Sequence, residues 1–239
     1  MFLPRIALLA TLVGILGCAG PTETRREAAP GLALSVEDLY AEPVFAADTA
    51  LFDAWTLVPI RGEGRWGLEP GPDDALAIAG RPEAGASAIY LNTDIDPVAC
   101  PVLEWQWSVG AVQPSADLTR RETDDVAAAL FVLFGDAGSP LDPKPVPTLR
   151  YVWTTERHQV GDVIPNPYLP DFVRNIVVAR GEADIGLWRR ERRDLQADYR
   201  AAFGVPPDAF VWSVALFVDN DQTGEPAAAF FRDASVYCD

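Results

Sequence analysis

The sequence is poor in the side chains that build transition-metal sites. Its 239 residues include one histidine, His158, and three cysteines. Structural zinc sites need several His or Cys ligands at close spacing, so no zinc site is expected. No G-x-S-x-G sequence accompanies His158, and a Ser-His-Asp hydrolase is therefore not indicated. We expect His158 to be a solvent-facing loop residue.

Positive charge is also scarce. The chain has 35 acidic residues against 19 Lys and Arg, a net charge of −16, and Lys144 is its one lysine. Proteins that bind nucleic acid neutralise phosphates with Lys and Arg, so the acidic balance argues against a nucleic-acid partner. The one dense basic cluster (Arg189, Arg190, Arg192 and Arg193) is interrupted by acidic residues, which predicts a solvated helix face.

The first residues have the pattern of an export signal. Arg5 precedes an almost wholly apolar run, 6–16, which is too short to cross a bilayer as a helix. Cys18 follows Gly17, and the segment resembles the bacterial lipobox, although Leu16 is bulkier than usual there. The resemblance implies a signal peptide over 1–17 and a lipid anchor on Cys18. Ala19 after the cysteine favours the outer membrane, facing the periplasm.

A short tether and one domain are expected after the anchor. Residues 18–38 are small, polar and rich in Pro and Gly, which predicts a flexible segment. Residues 39–239 are long enough for a single domain with its own core. Cys100 and Cys238 lie in this domain. In an oxidising compartment the two thiols either form a disulfide or stay free, and the sequence leaves both open.

Short apolar runs separated by Gly, Pro, Asp and Asn predict an all-β domain, an antiparallel β-sandwich of jelly-roll type. One amphipathic helix is expected near residues 190–203, because Leu195, Tyr199 and Phe203 recur at helical spacing before Gly204. The predicted strands are 55–60, 76–79, 88–91, 103–109, 126–134, 149–154, 175–179, 211–218 and 228–237.

Five carboxylates are candidate ligand residues. Asp124 and Asp125 open one apolar strand, Asp219 and Asp221 follow another, and Glu104 lies on the polar face of a third. The loop D-N-D-Q-T-G begins like a calcium-binding loop, but Phe230 stands where the twelfth, carboxylate ligand would be. A tight turn is the simpler interpretation. A structural Ca²⁺ held by Asp219 and Asp221, with help from Asp124 or Asp125, is the alternative.

Aromatic residues occur in pairs at strand spacing. Trp105 with Trp107, and Tyr151 with Trp153, each place two rings on one face of a strand. Such pairs usually belong to the core, and the alternative is a platform on which sugar rings stack. Tyr168, in a Pro-containing loop, is the aromatic residue expected to be exposed.

Several stretches together resemble the bacterial DUF3047 family, a domain of unknown function. They are W-Q-W-S-V from Trp105, the D-D-V-A-A-A-L-F segment from Asp124, Y-V-W-T from Tyr151, the segment ending D-Y-R-A-A-F-G, and V-D-N-D-Q-T-G near the end. The resemblance covers the chain from about residue 51 and implies an exported domain in which Asp124, Asp125, Asp219 and Asp221 matter. It supplies no reaction. The family pattern has an arginine where this chain has Ala129, which puts a site built on that arginine in doubt.

Two functional hypotheses follow. The first is a non-catalytic, lipid-anchored envelope protein that binds a glycan, another envelope protein or a small ligand. The second is a carbohydrate-active enzyme, a glycoside hydrolase or lyase, that uses a carboxylate pair such as Glu104 with Asp124 or Asp125. The scarcity of catalytic residue types in the sequence favours the binding hypothesis over the enzyme hypothesis.

Overall fold

A computed structural model describes residues 39–139 and 142–239. The predicted signal peptide, Cys18 and the tether lie outside the described residues. The strands are β1 (Tyr40–Phe45), β2 (Thr56–Pro70), β3 (Leu76–Ile95), β4 (Val102–Ala111), β5 (Ala128–Phe134), β6 (Gly138–Ser139), β7 (Asp142–Pro143), β8 (Thr148–Thr154), β9 (Val163–Pro165), β10 (Val173–Arg180), β11 (Arg189–Asp194), β12 (Val211–Asp219) and β13 (Ala228–Cys238). The helices are α1 (Thr49–Phe52) and α2 (Leu195–Phe203).

Eleven strands form one curled sheet in the order β11-β4-β13-β3-β12-β5-β8-β10-β9, with β1 beside β13 and β2 beside β3. The long strand β3 joins the two layers of a sandwich, because its first part pairs with β13 and its second part pairs with β12. Irregular pairing near Gly62 and Gly85 bends the β2–β3 hairpin between these parts. A Cβ on Gly85 would lie 2.4 Å from the Glu63 carbonyl oxygen, so only glycine fits there.

The core lies between the two layers and contains the aromatic pairs. Trp105 on β4 packs on Tyr151 of β8 with ring centroids 5.2 Å apart, and Trp107 packs on Trp153 at 6.0 Å. These strands are not neighbours in the sheet, so the contacts join opposite layers. All four side chains are fully buried. The core interpretation of these pairs is therefore correct, and a sugar platform built on them is excluded.

The β-sandwich prediction is confirmed, with one departure from antiparallel pairing. Strands β8 and β10 are parallel neighbours, because the chain crosses over the sheet between Thr154 and Val173 before it returns. Part of that crossover is β9, which pairs antiparallel with β10. The sequence also predicted two strands, 76–79 and 88–91, where β3 is continuous. Among the described residues, no helix is long and apolar enough to cross a membrane.

The helix predicted near 190–203 begins later than expected. Residues Arg189–Asp194 form the edge strand β11, paired with β4, and the helix starts at Leu195. The Asp194 carboxylate accepts a hydrogen bond from the Ala197 amide, which caps the helix at this point. In the strand, Glu191 points inward and accepts from the Trp107 indole. The arginine cluster thus belongs to an edge strand, and the prediction of a solvated helix face was wrong.

Cys100 and Cys238 form a disulfide. The bond ties the end of β13, the last strand, to the loop that precedes β4. Their sequence separation is 138 residues, so the closed loop contains most of the domain. Such a long loop makes the bond a strong constraint on the unfolded chain.

Candidate functional site

We call the layer of β11, β4 and β13 the first layer and the layer of β12, β5, β8 and β10 the second. The outer face of the second layer carries a cleft of ≈ 380 Å³. Its polar end is built by chain segments that meet at one edge of this layer. Strands β5 and β12 run antiparallel, with Ala129 opposite Phe217, so the start of β5 lies beside the end of β12. Asp124 and Asp125 therefore lie close to Asp219 and Asp221. The side chains that line the cleft are Ile60, Arg61, Ala86, Asp124, Phe131, Arg150, Asn166, Tyr168, Leu169, Val173, Phe217, Asp219, Asp221 and Gln222.

A buried arginine forms the floor of the polar end. Arg150, on β8, is 2% exposed and donates to the Asp124 carboxylate at 3.1 Å. Its second guanidinium nitrogen lies 3.7 Å from an Asp219 oxygen. The same guanidinium stacks against Phe131 and Phe217, with ring centroids 5.4 and 5.0 Å away. The cation is therefore held between two carboxylates and two aromatic rings.

Burial dominates the acid–base behaviour of these carboxyl groups. It raises the pKa of Asp219 well above its ordinary value, and the Arg150 guanidinium opposes that rise. Burial likewise raises the pKa of Asp124, again against the effect of Arg150. Asp221 has a raised pKa because of burial and the nearby charge of Asp125. The polar end is thus an acidic environment that is only partly neutralised.

Asp125 fixes the loop that follows β12. Its carboxylate accepts from the amides of Gln222 and Thr223, at 3.3 and 2.7 Å, and from the Thr223 hydroxyl. Asp219 has a related role on the other side, since it accepts from the Val126 amide at 2.7 Å. These bonds hold the two chain segments together and leave Asp221 and Gln222 at the rim of the cleft.

The opposite rim comes from the crossover between β8 and β10. Asn166 donates to Asp124 at 3.0 Å, and the Tyr168 hydroxyl donates to the Arg121 carbonyl at 2.6 Å. Gln222 reaches across and donates to the Tyr168 hydroxyl oxygen at 3.3 Å. Tyr168 is 45% exposed, which confirms that it is an accessible aromatic residue.

Several polar atoms in the cleft have unused hydrogen-bonding capacity. Asp124 Oδ1, Asp221 Oδ1 and Gln222 Oε1 are buried and have no hydrogen-bond partner among the described residues. Arg150 Nε is also buried and has no hydrogen-bond partner among the described residues. Buried polar atoms normally have partners, so these four are candidates for contacts to a ligand.

The rest of the cleft is apolar and continues along the sheet. Ile60, Phe131 and Phe217 line both the polar cleft and an adjoining cavity of ≈ 220 Å³. The second cavity adds small and aliphatic residues such as Ala88, Leu133 and Ala215. Polar groups at one end and flat or aliphatic walls at the other are the usual composition of a small-ligand site.

Three of the carboxylates are also close enough together to hold a cation. One oxygen each of Asp125, Asp219 and Asp221 lies within 4.8 Å of the other two. These groups already accept N–H bonds or pair with arginine, and Arg61 lies 3.2 Å from Asp221. The calcium alternative therefore stays a prediction.

Glu104 lies apart from this cluster. It points outward from β4 in the first layer, where it pairs with Arg190 at 3.2 Å and with Arg192 at 3.5 Å. The Tyr237 hydroxyl also donates to it. The core separates Glu104 from Asp124, so the carboxylate pair postulated for an enzyme is not assembled.

His158 is buried, contrary to the prediction of a solvent-facing residue. Its Nε2 accepts from the Leu118 amide at 3.1 Å, and Asp117 lies 3.6 Å away. Burial lowers the pKa of His158, which favours the neutral ring that this bond requires. His158 does not line the cleft and supports the loop that contains Leu118.

Five residues of the cleft were not among the candidates predicted from the sequence: Arg150, Asn166, Gln222, Phe131 and Phe217. Arg150 alone had a signal, since a single charge inside the apolar strand Thr148–Thr154 must be buried and paired. Ala129, where the family pattern has arginine, is fully buried on the same face of β5 as Phe131. Arg150 on the neighbouring strand supplies a guanidinium to that face.

Comparison with known proteins decides the family. The model of the family described as "Protein of unknown function (DUF3047)" matches residues 54–235. The chain belongs to the DUF3047 family. No curated protein is similar to this DUF3047 member in sequence.

Solved structures with a similar fold include sugar-binding proteins. A family 11 carbohydrate-binding module from Clostridium thermocellum, in complex with a β-1,3-1,4-mixed-linked tetrasaccharide, has a TM-score of 0.42 at 8% identity. The match covers 82% of the DUF3047 chain and 94% of that module. The mannan-recognising module TmCBM27 has a TM-score of 0.39 at 10% identity and covers 84% and 97%. The K1 adhesin domain of Lys-gingipain from Porphyromonas gingivalis W83 has a TM-score of 0.38 at 10% identity, with 84% and 98% covered.

Proposed function

We propose that this DUF3047 protein is a non-catalytic carbohydrate-binding module whose ligand lies in the ≈ 380 Å³ cleft. The observation that carries the proposal is the cleft itself. It brings unpartnered buried oxygens of Asp124, Asp221 and Gln222 together with aromatic and aliphatic walls. A sugar ring has the matching chemistry, with hydroxyl groups around its edge and apolar C–H faces.

The contacts around the cleft favour binding over catalysis. Asp125 and Asp219 are engaged in holding the loops, through the amides of Thr223 and Val126. Glu104, the partner that a glycosidase mechanism required, pairs with Arg190 and Arg192 in the other layer. General acid–base chemistry needs a carboxyl group free to exchange a proton with substrate, and these three are committed elsewhere.

We also propose that the protein is anchored by lipid on Cys18 to the outer membrane and faces the periplasm. The proposal rests on the apolar run and cysteine of the first residues. Metabolic labelling with a palmitate analogue tests it. The wild-type chain should take up label and fractionate with membranes, whereas Cys18→Ala should take up none. Unlabelled wild-type protein would contradict the anchor and leave the cleft unaffected.

Binding is tested by a glycan array, followed by calorimetry with the glycans that bind. We expect Tyr168→Ala to weaken binding by about 0.5–1.5 kcal/mol, the value of a stacking contact beyond simple burial. Tyr40→Ala is the matched control, because Tyr40 is 56% exposed but lies on β1, away from the cleft. Equal effects of the two substitutions, or the absence of any bound glycan, would refute the proposal.

A further inference from the structure

The polar end of the cleft has more acceptors than donors. Its unpartnered buried atoms are three oxygens, from Asp124, Asp221 and Gln222, and one nitrogen, from Arg150. Carboxylate oxygens only accept hydrogen bonds when ionised. A ligand that satisfies this end must therefore be mainly a donor at the contacting atoms.

The charges around the cleft also favour a ligand that donates hydrogen bonds over an anionic ligand. Three carboxylates line it, and two guanidinium groups accompany them. Both guanidinium groups are already paired: Arg150 bonds to Asp124 and lies beside Asp219, and Arg61 bonds to Asp221 at 3.2 Å. Asp125 adds a fourth carboxylate directly behind the lining, within 4.8 Å of Asp219 and Asp221. Each guanidinium group in the lining therefore already faces a carboxylate, and the carboxylates outnumber the guanidinium groups.

We infer that the cleft selects glycans whose contacting groups are hydroxyl donors and rejects acidic glycans, with Asp221 as the specificity-determining residue. This inference rests on the proposed function. A uronate, sulfate or phosphate group would place acceptors against acceptors and like charges close together. Asp221 is assigned the role because its side chain is at the rim, is only 4% exposed and has one oxygen without a partner in the described part of the chain. Asp124 lies deeper and is held by Arg150 and Asn166.

The test compares each acidic glycan with its own methyl ester. Polygalacturonate and alginate keep the same backbone after esterification, which removes the negative charge and adds one methyl group per ester; the salt dependence below separates the effect of charge from that of the methyl group. We expect the purified protein to bind an esterified form at least about fivefold more tightly than the acid, the lower limit set by two unit charges about 4 Å apart in bulk water. Neutral glucans and mannans on the same array should bind without this penalty.

Two further arms assign the selection to the cleft. Asp221→Asn should reduce the ester-to-acid ratio severalfold, whereas Glu42→Gln, which removes the same charge from an exposed position on β1, should leave it unchanged. For wild-type protein, the ratio should also fall as salt rises from about 0.01 to 1 M, because salt screens the repulsion. The salt titration needs no variant, so it tests the charge selection even if Asp221→Asn fails to fold.

The outcomes separate the two proposals. If an acidic glycan binds more tightly than its ester, or if the ratio is unchanged by Asp221→Asn and by salt, the charge selection is wrong and the carbohydrate-binding function stands. If neither neutral nor acidic glycans bind, the proposed function itself is refuted, and the selection with it.

Discussion

Replacement of Arg150 tests the energetics of the cleft floor. Arg150→Met keeps much of the side-chain stem but removes the guanidinium that bonds Asp124 at 3.1 Å and lies 3.7 Å from Asp219. Both carboxylates are nearly completely buried. Removal of one partner from a buried ion pair leaves an uncompensated charge, which typically costs about 3–5 kcal/mol. We expect a loss of that size in the free energy of unfolding at pH 7.5.

The loss should depend on pH in a defined direction. Burial already raises the pKa values of Asp124 and Asp219, and Arg150 opposes the rise. Without the guanidinium both pKa values rise further, so the native state binds protons that the unfolded chain, with a carboxyl pKa of about 3.9, does not. A group with a raised native pKa stabilises the fold less as pH increases through that range. The penalty in the variant should therefore be largest at pH 7.5 and smaller at pH 5.

Urea denaturation followed by tryptophan fluorescence measures this penalty at both pH values. Arg65→Met is the control, since Arg65 is exposed and pairs with Glu83 on the surface, and it should cost less than about 1 kcal/mol. The double variant Arg150→Met/Asp219→Asn should recover part of the loss because it removes one of the stranded charges. A loss under about 1 kcal/mol for Arg150→Met at pH 7.5, or an equal loss at pH 5, would refute this reasoning.

Three other predictions concern the frame of the domain. Cys238→Ser opens a loop of 138 residues and should cost on the order of 4–5 kcal/mol, seen as a lower urea midpoint; an unchanged midpoint would contradict it. His158, the one histidine in the chain, has a pKa lowered by burial. Its ring resonance in NMR should titrate below about 6.5, and its contribution to stability should be present above that pH and lost as pH falls through the native pKa; titration above 6.5 would be inconsistent with its environment. Asp125→Ala should cost about 1–3 kcal/mol and speed hydrogen exchange at the amides of Gln222 and Thr223, and unaltered exchange there would show that Asp125 does not hold the loop.

Most strands were predictable because their apolar residues follow simple patterns. Trp105 and Trp107 alternate with polar residues. Strands β5 and β12 are apolar on both faces, because one face packs in the core and the other lines the cleft and the adjoining cavity. The predicted helix began too early, because the helical spacing of Leu195, Tyr199 and Phe203 does not continue into the charged residues before them. The segment pairs as a strand with β4, where Arg190 and Arg192 form ion pairs with Glu104, and local sequence does not reveal this tertiary contact.

The candidate site was predictable in part. Four carboxylates could be predicted as ligand residues because they flank two long apolar runs: Asp124, Asp125, Asp219 and Asp221. Antiparallel pairing of β5 with β12 brings the ends of those runs together. Arg150 and Asn166 could not be assigned, because their proximity depends on the parallel crossover between β8 and β10. The order of strands in the sheet is set by long-range packing, so it cannot be predicted from the sequences of the separate segments.

The central claim, that a sugar binds in the cleft, is tested most directly by hydrogen–deuterium exchange with and without the glycan that binds most tightly on the array. We predict slower exchange in three segments, 121–125, 166–169 and 219–224, with no change in β4 and β11 of the other layer. Protection confined to β4 and β11, or no protection anywhere at a saturating glycan concentration, would contradict the account.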